Sequence, residues 1–298
     1  MAVENVRAVS ADLRSWLAAQ VLQRVAGPES RSRHRQIFHA EGERWFAEDR
    51  PIRRVHGDAA MFVGGIRALL LQSLHPLVMA GVAQHSRYRE DPWGRLQRTS
   101  FFLAVTTFGP AREAERAVAR VRGVHRRIHG VAPDGRRYAA CDPHLLQWVH
   151  IAEVDSFLAA YQRYGRGGKL DQDDRDGYVA DAAVVASRLG VIDPPGSEFE
   201  LRQQLRDYRR ELAGTPEARD AARFLLLRPP LSLAARVPYS ALAAAAVGLM
   251  PTWTRWPLRL PYFPTAEAVV GRLAGRGVVA GIHWATSRPV DDHQERAS

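Results

Sequence analysis

An all-α fold is predicted from three features. Apolar residues recur at helical spacing in segment after segment, no stretch is strand-like for long enough to build a sheet, and proline or glycine marks nearly every boundary. With 298 residues, 46% of them apolar, the chain can bury a substantial core. The expectation is one multi-helix globular domain of about ten or more helices, over residues 35–285. An N-terminal helical extension, 1–34, precedes it, and a polar, disordered tail, 286–298, follows it.

Taken in order, residues 1–28 read as a helix ending at Gly27-Pro28, and 30–48 as a second. Residues 51–74 are apolar enough to be buried all round, with Gly57, Gly64 and Gly65 marking close helix contact, until His75-Pro76 interrupts the pattern. A short segment, 77–85, leads to a loop over 86–93. Two helices joined at Gly109-Pro110 follow, the first opening at Arg95 and the second closing at His129-Gly130. Pro133-Asp134-Gly135 is a turn that offers a short hairpin, and Asp142-Pro143 starts a helix that stops at Gly165. Further helices are expected over 174–189, 198–212, 217–227, 231–249 and 265–279, with a rigid aromatic loop around Trp253, Trp256 and Pro257.

The formal charge is +10, but Lys169 is the sole lysine and the arginines are scattered through the helices, which argues against a nucleic-acid surface. The single cysteine, Cys141, excludes an internal disulfide and any multi-cysteine metal site, and a reducing, cytoplasmic location is the simplest expectation. Glu4 and Asp12 break the first 20 residues where a signal peptide needs an apolar run. No run reaches the roughly 18–20 apolar residues of a membrane-spanning helix. The segment Tyr239–Met250, with Trp253 and Trp256, is read as core, peripheral contact with a membrane surface being the alternative.

Chemistry concentrates between Arg95 and His129. At about 100° per residue, Ala114, Val118, Val121, His125 and Ile128 share one stripe, with His125 near its middle. A core histidine there is ordinarily satisfied by a carbonyl or carboxylate; the sharper reading is a metal or haem-iron ligand. His129, beside Gly130, reads as a histidine complementing the helix C-terminus. On the preceding helix Arg95, Arg98, Thr99, Phe102 and Thr106 share a face, so its guanidinium groups could clamp cofactor carboxylates and Thr99 could hydrogen-bond a diatomic ligand. An exposed, charged first turn is the plainer alternative. His75, His85 and His150 also sit in unusual settings, and His150 and Glu153 lie on one helix face. Zinc-protease, glycine-rich nucleotide, serine-hydrolase and covalent-haem motifs are absent.

The ordered series His75-Pro76, His85-Ser86, Asp91-Pro92, Arg95-Leu96-Gln97-Arg98-Thr99, Phe108-Gly109, Val124-His125, Gly130, Gly135, Tyr138-Ala139, Asp142-Pro143 and Trp148-Val149-His150 resembles the MpaB-type oxygenase and rubber oxygenase (latex clearing protein) catalytic domain. The resemblance implies an all-helical fold around a haem-sized apolar cavity holding a non-covalent haem b. It makes His125 the proximal iron ligand, and Arg95, Arg98 and Thr99 the catalytic groups on the distal side. His75, His85 and His150 join Arg95 and Thr99 as cofactor-contacting candidates. Arg98 stands where latex clearing proteins carry a lysine, and arginine does not readily shed its proton to ligate iron. The expected function is a haem-dependent oxygenase using dioxygen and an unidentified electron donor on an apolar small-to-medium metabolite, isoprenoid or lipid-like. The alternatives are a non-catalytic haem- or lipid-binding helical protein and a non-haem metal oxidoreductase using His125, His129, His150 and Glu153.

Overall fold

A computed structural model describes residues 27, 30–262 and 271–286. The expected N-terminal helix, apart from Gly27, and the tail after Pro289 lie outside the described residues. Among the described residues the architecture is all-α as expected, with thirteen α-helices and one two-stranded hairpin. In chain order the elements are α1 (Ser30–His34, running into a π turn to His39), α2 (Pro51–His56), α3 (Met61–Gln72), α4 (Pro76–His85), α5 (Pro92–Phe108) and α6 (Ala111–His125). The hairpin follows as β1 (His129–Val131) and β2 (Arg137–Ala139). The second half comprises α7 (Pro143–Tyr164), α8 (Gln172–Leu189), α9 (Glu198–Asp207), α10 (Pro216–Leu227), α11 (Leu233–Leu249), α12 (Thr252–Leu258) and α13 (Arg272–Thr286).

The core is built on α7 packed along α3. Asp142 caps α7 by accepting from the His144 N–H at 2.9 Å, Pro143 pre-sets its first turn, and the chain leaves it at Gly165. Trp148, Ile151, Ala152 and Ala160 are buried completely along its length. Gly64 of α3 lets the helices close: a Cβ there would lie 2.7 Å from Phe157 Cδ1 and 3.2 Å from the Ser156 carbonyl. Beside this contact Arg67, 3% exposed, donates to Asp155 Oδ2 at 2.6 Å, Ser156 Oγ at 2.7 Å and the Leu249 carbonyl at 3.0 Å. Its buried charge is thereby paired and fully directed, tying α3 and α7 to the end of α11. Of the three glycines expected at close contacts, Gly64 makes one between helices, Gly57 follows the last residue of α2, and Gly65 has nothing within 4 Å of its would-be side chain.

Several boundaries differ from expectation, each for a local reason. The single helix expected over 51–74 is two, because the buried Asp58 carboxylate accepts from Ala60 N at 2.7 Å and from Arg166 N at 2.9 Å and so interrupts the ladder. The helix expected over 30–48 stops at His39. The helix expected to reach His129 ends at His125, since residues 128–131 give their backbone to the hairpin: His129 pairs with Ala139, and Ala140 N donates to the Ile128 carbonyl at 2.8 Å. His129 therefore opens β1 and does not finish α6. The aromatic loop around Trp253 is the short helix α12. Trp256 is 91% exposed, so the reading of that region as core holds for Ala243, Ala245, Ala246 and Met250 but not for Trp256. The last helix is described over Arg272–Thr286 and runs past the expected end at 279, while 265–270 lie outside the described residues. No single helix among the described residues is long and apolar enough to cross a membrane.

Placing a methyl at Gly64 must push Phe157 or the α7 backbone, so Gly64→Ala is expected to cost about 1–3 kcal/mol. Gly65→Ala should gain up to about 1 kcal/mol through helix propensity alone. Urea unfolding of the two variants measures the contrast.

Candidate functional site

α5 and α6 pack against one another from the joint at Gly109-Pro110. At 1.5 Å rise per residue, Arg95 stands about 20 Å from the joint along α5 and His125 about 21 Å along α6. Asp91 caps α5 by accepting from Gly94 N at 2.8 Å, with Pro92 at its first position. Arg95, one turn in, is partly buried and donates to Ser86 Oγ at 2.8 Å. Burial, reinforced by the Arg98 charge, lowers its pKa from the usual guanidinium value. Arg98 is exposed and paired with Asp91 Oδ2 at 3.2 Å, and Thr99 is exposed as well. Of the two arginines, Arg95 is therefore the one placed to meet an internal ligand.

His125 is the last residue of α6. Its Nδ1 is buried, and its ring makes no hydrogen bond among the described residues. Burial lowers its pKa, which keeps the imidazole neutral and a nitrogen lone pair available. The ring lines a cleft of about 300 Å³ together with Arg122, Arg126, Cys141, Leu146 and Gly190. Leu146 belongs to α7, and it connects the two halves of the site.

At 100° per residue Leu146, His150, Glu153 and Phe157 occupy one side of α7, while His144, Trp148, Ile151 and Asp155 occupy the other. Contacts agree with this division. Phe157 meets the His56 ring edge-on, with centroids 5.6 Å apart. His56 in turn shares a hydrogen bond with Thr107 Oγ1 at 2.8 Å through Nδ1, and its Nε2 lies 3.3 Å from the Tyr178 hydroxyl. Desolvation dominates all four titratable groups: it pushes His56 down to about 3 and His150 down to about 4, and raises Glu153 to about 7 and Tyr178 well above its ordinary value. The Glu153 charge adds to the effect on Tyr178. His150 Nε2 is buried without a partner.

Sequence reasoning paired His150 with Glu153 but passed over His56, Thr107 and Tyr178. The position of His56 in a short apolar helix was the available signal. Of the remaining candidates, His75 lies against the opposite side of α7, with its ring 6.4 Å from that of Trp148. His85 is exposed beside the hairpin and hydrogen-bonds the Tyr138 hydroxyl at 3.1 Å. His129 is exposed on β1. The structure thus places Arg95 and His125 on two adjoining helices and sets His125 beside Leu146 on the His150 side of α7, with His75 and His85 elsewhere.

A family model described as ER-bound oxygenase mpaB/B'/rubber oxygenase, catalytic domain, matches residues 53–281. Comparison with curated proteins and with solved structures yields no match.

Glu153 gives the site a measurable pH signature. Its carboxyl keeps a proton up to about pH 7 in the fold and releases it near 4.5 when unfolded, so the stability it contributes at low pH is lost as pH rises through this window. Relative to the native protein, Glu153→Gln should show little difference near the lower limit and a gain of up to about 3 kcal/mol above the upper one. Thermal unfolding across that range checks it.

Proposed function

The chain belongs to the mpaB/rubber oxygenase catalytic-domain family, and on that premise we propose that it is a haem b-dependent oxygenase that uses dioxygen to oxidise an apolar small-to-medium metabolite. The observation that carries the proposal is His125. A core histidine kept for packing would have its ring nitrogens satisfied, since a buried unpaired nitrogen costs about 1–3 kcal/mol. The His125 ring has no hydrogen-bond partner among the described residues, its Nδ1 is buried, and it is neutral at physiological pH. This is the protonation state an iron ligand requires.

The donor set suits a haem. His125 would hold it through its imidazole nitrogen. Arg95, on the neighbouring helix, offers a permanent positive charge to a carboxylate or a developing anion, and Thr99 offers a hydroxyl one turn further along α5. Arg98, engaged by Asp91, serves the rim of the site. When bound, haem supplies the redox chemistry with dioxygen. The protein's own residues orient and insulate. Phe101, Phe102 and Val121 present half-buried apolar surface on α5 and α6, which favours an apolar substrate over a charged one. His150 is neutral and Glu153 is poised near neutrality, so this pair on α7 can accept or return a proton without leaving a full charge in the interior.

Purified protein, as isolated or after incubation with hemin, is expected to show a Soret band, and His125→Ala should abolish it while far-UV circular dichroism stays unchanged. Arg95→Gln should keep the band but slow oxygen consumption by on the order of tenfold, because a hydrogen bond to a charged group contributes about 1.5–3 kcal/mol. A folded protein that takes up no hemin would overturn the proposal.

A further inference from the structure

On the far side of α7 from His150, three residues from distant parts of the chain converge. His75 immediately precedes α4, His144 lies in the first turn of α7, and Glu211 follows the 3₁₀ turn Tyr208–Arg210 that continues α9. His144 Nε2 lies 2.8 Å and His75 Nε2 3.5 Å from the same Glu211 oxygen. One donor atom from each of the three falls within 4.8 Å of the others. We propose that His75, His144 and Glu211 form a binding site for a divalent transition-metal ion, with zinc as its reference occupant, separate from the His125 site.

Two observations carry this beyond a half-exposed ion pair between His144 and Glu211. His75 is 1% exposed, and neither of its ring nitrogens has a hydrogen-bond partner, although Nε2 faces the Glu211 carboxylate. Leaving such a ring unsatisfied is costly, and a cation held through its lone pair removes the cost. The second observation concerns the tautomer of His144. The Tyr208 hydroxyl donates to the His144 carbonyl at 2.7 Å, so at 3.1 Å from His144 Nδ1 its oxygen acts as acceptor. That assigns the His144 proton to Nδ1 and leaves the Nε2 lone pair pointing at the carboxylate. A lone pair and a carboxylate at 2.8 Å repel unless a cation, whether a proton or a metal ion, is shared between them. Stacking of the His144 and Tyr208 rings, 4.6 Å apart, fixes that orientation.

Two imidazoles and one carboxylate are a donor set suited to zinc or ferrous iron. His144 and Glu211 are about half exposed, so the remaining coordination positions open to water. The ion would clamp the α3–α4 corner and the end of α9 to the start of α7.

The test uses the full, tag-free chain, stripped with EDTA and titrated with zinc chloride by calorimetry, with metal content read by elemental analysis. One zinc per chain is expected, together with a rise in unfolding temperature that grows with zinc concentration. His144→Gln and Glu211→Gln, at half-exposed positions that leave the core intact, should each weaken binding by more than the roughly 10–100-fold typical of losing an outer-shell partner. Tyr208→Phe should fall within that range. His125→Ala should bind zinc as the native protein does. Failure of the folded native chain to bind zinc, native-like affinity in both glutamine variants, or loss of zinc on His125→Ala would overturn the assignment.

Discussion

The contact on which the structure depends is the close approach of α3 and α7 at Gly64. A helix packed this tightly cannot yield, so the side chains α7 projects on its two other faces are held at fixed heights and angles. Arg67 reinforces the contact by donating from each of its three nitrogens, to Asp155, Ser156 and the Leu249 carbonyl. Polar groups can then be buried on both sides of one helix without softening the core around them. His150 and Glu153 lie on the side of α7 that carries Phe157 and Leu146; His144 lies on the other, beside His75 and Tyr208.

Desolvation sets the electrical character of the first of these faces. It moves His56, His150, Glu153 and Tyr178 in the directions that make each neutral, so at physiological pH the interior holds donors and acceptors with little net charge. Arg95 of α5 carries permanent charge and lies outside this set, hydrogen-bonded to Ser86. Such a division suits chemistry in which protons and a polar diatomic molecule must be managed beside an apolar substrate.

Much of this was legible in the chain. The Gly109-Pro110 joint, the stripe through His125, the arginine face of α5 and the Asp142-Pro143 start of α7 are local patterns, and local patterns survive into the fold. What was not legible depends on tertiary context. The break at Asp58 requires Arg166, more than a hundred residues away, to share its carboxylate. The early end of α6 follows from hairpin pairing with Ala139 and Ala140, not from any weakness of helix propensity at Arg126 or Arg127. The exposure of Trp256 depends on how α12 is set against α10, which apolar composition does not reveal. That His125 lacks a hydrogen-bond partner is likewise a property of its surroundings; sequence places it on an apolar face and says nothing of what lies opposite. His56 and Tyr178 come together only because α2 packs on α8.

The two-residue joint between α5 and α6 bears on the order of assembly. Contacts within a helical hairpin close short loops and form quickly, whereas those between α3 and α7 wait for long-range closure. Arg95 and His125 both belong to this locally closing hairpin. The two residues proposed to flank the cofactor therefore share contacts of short sequence separation, while the helices that pack around them join through slower, long-range closure.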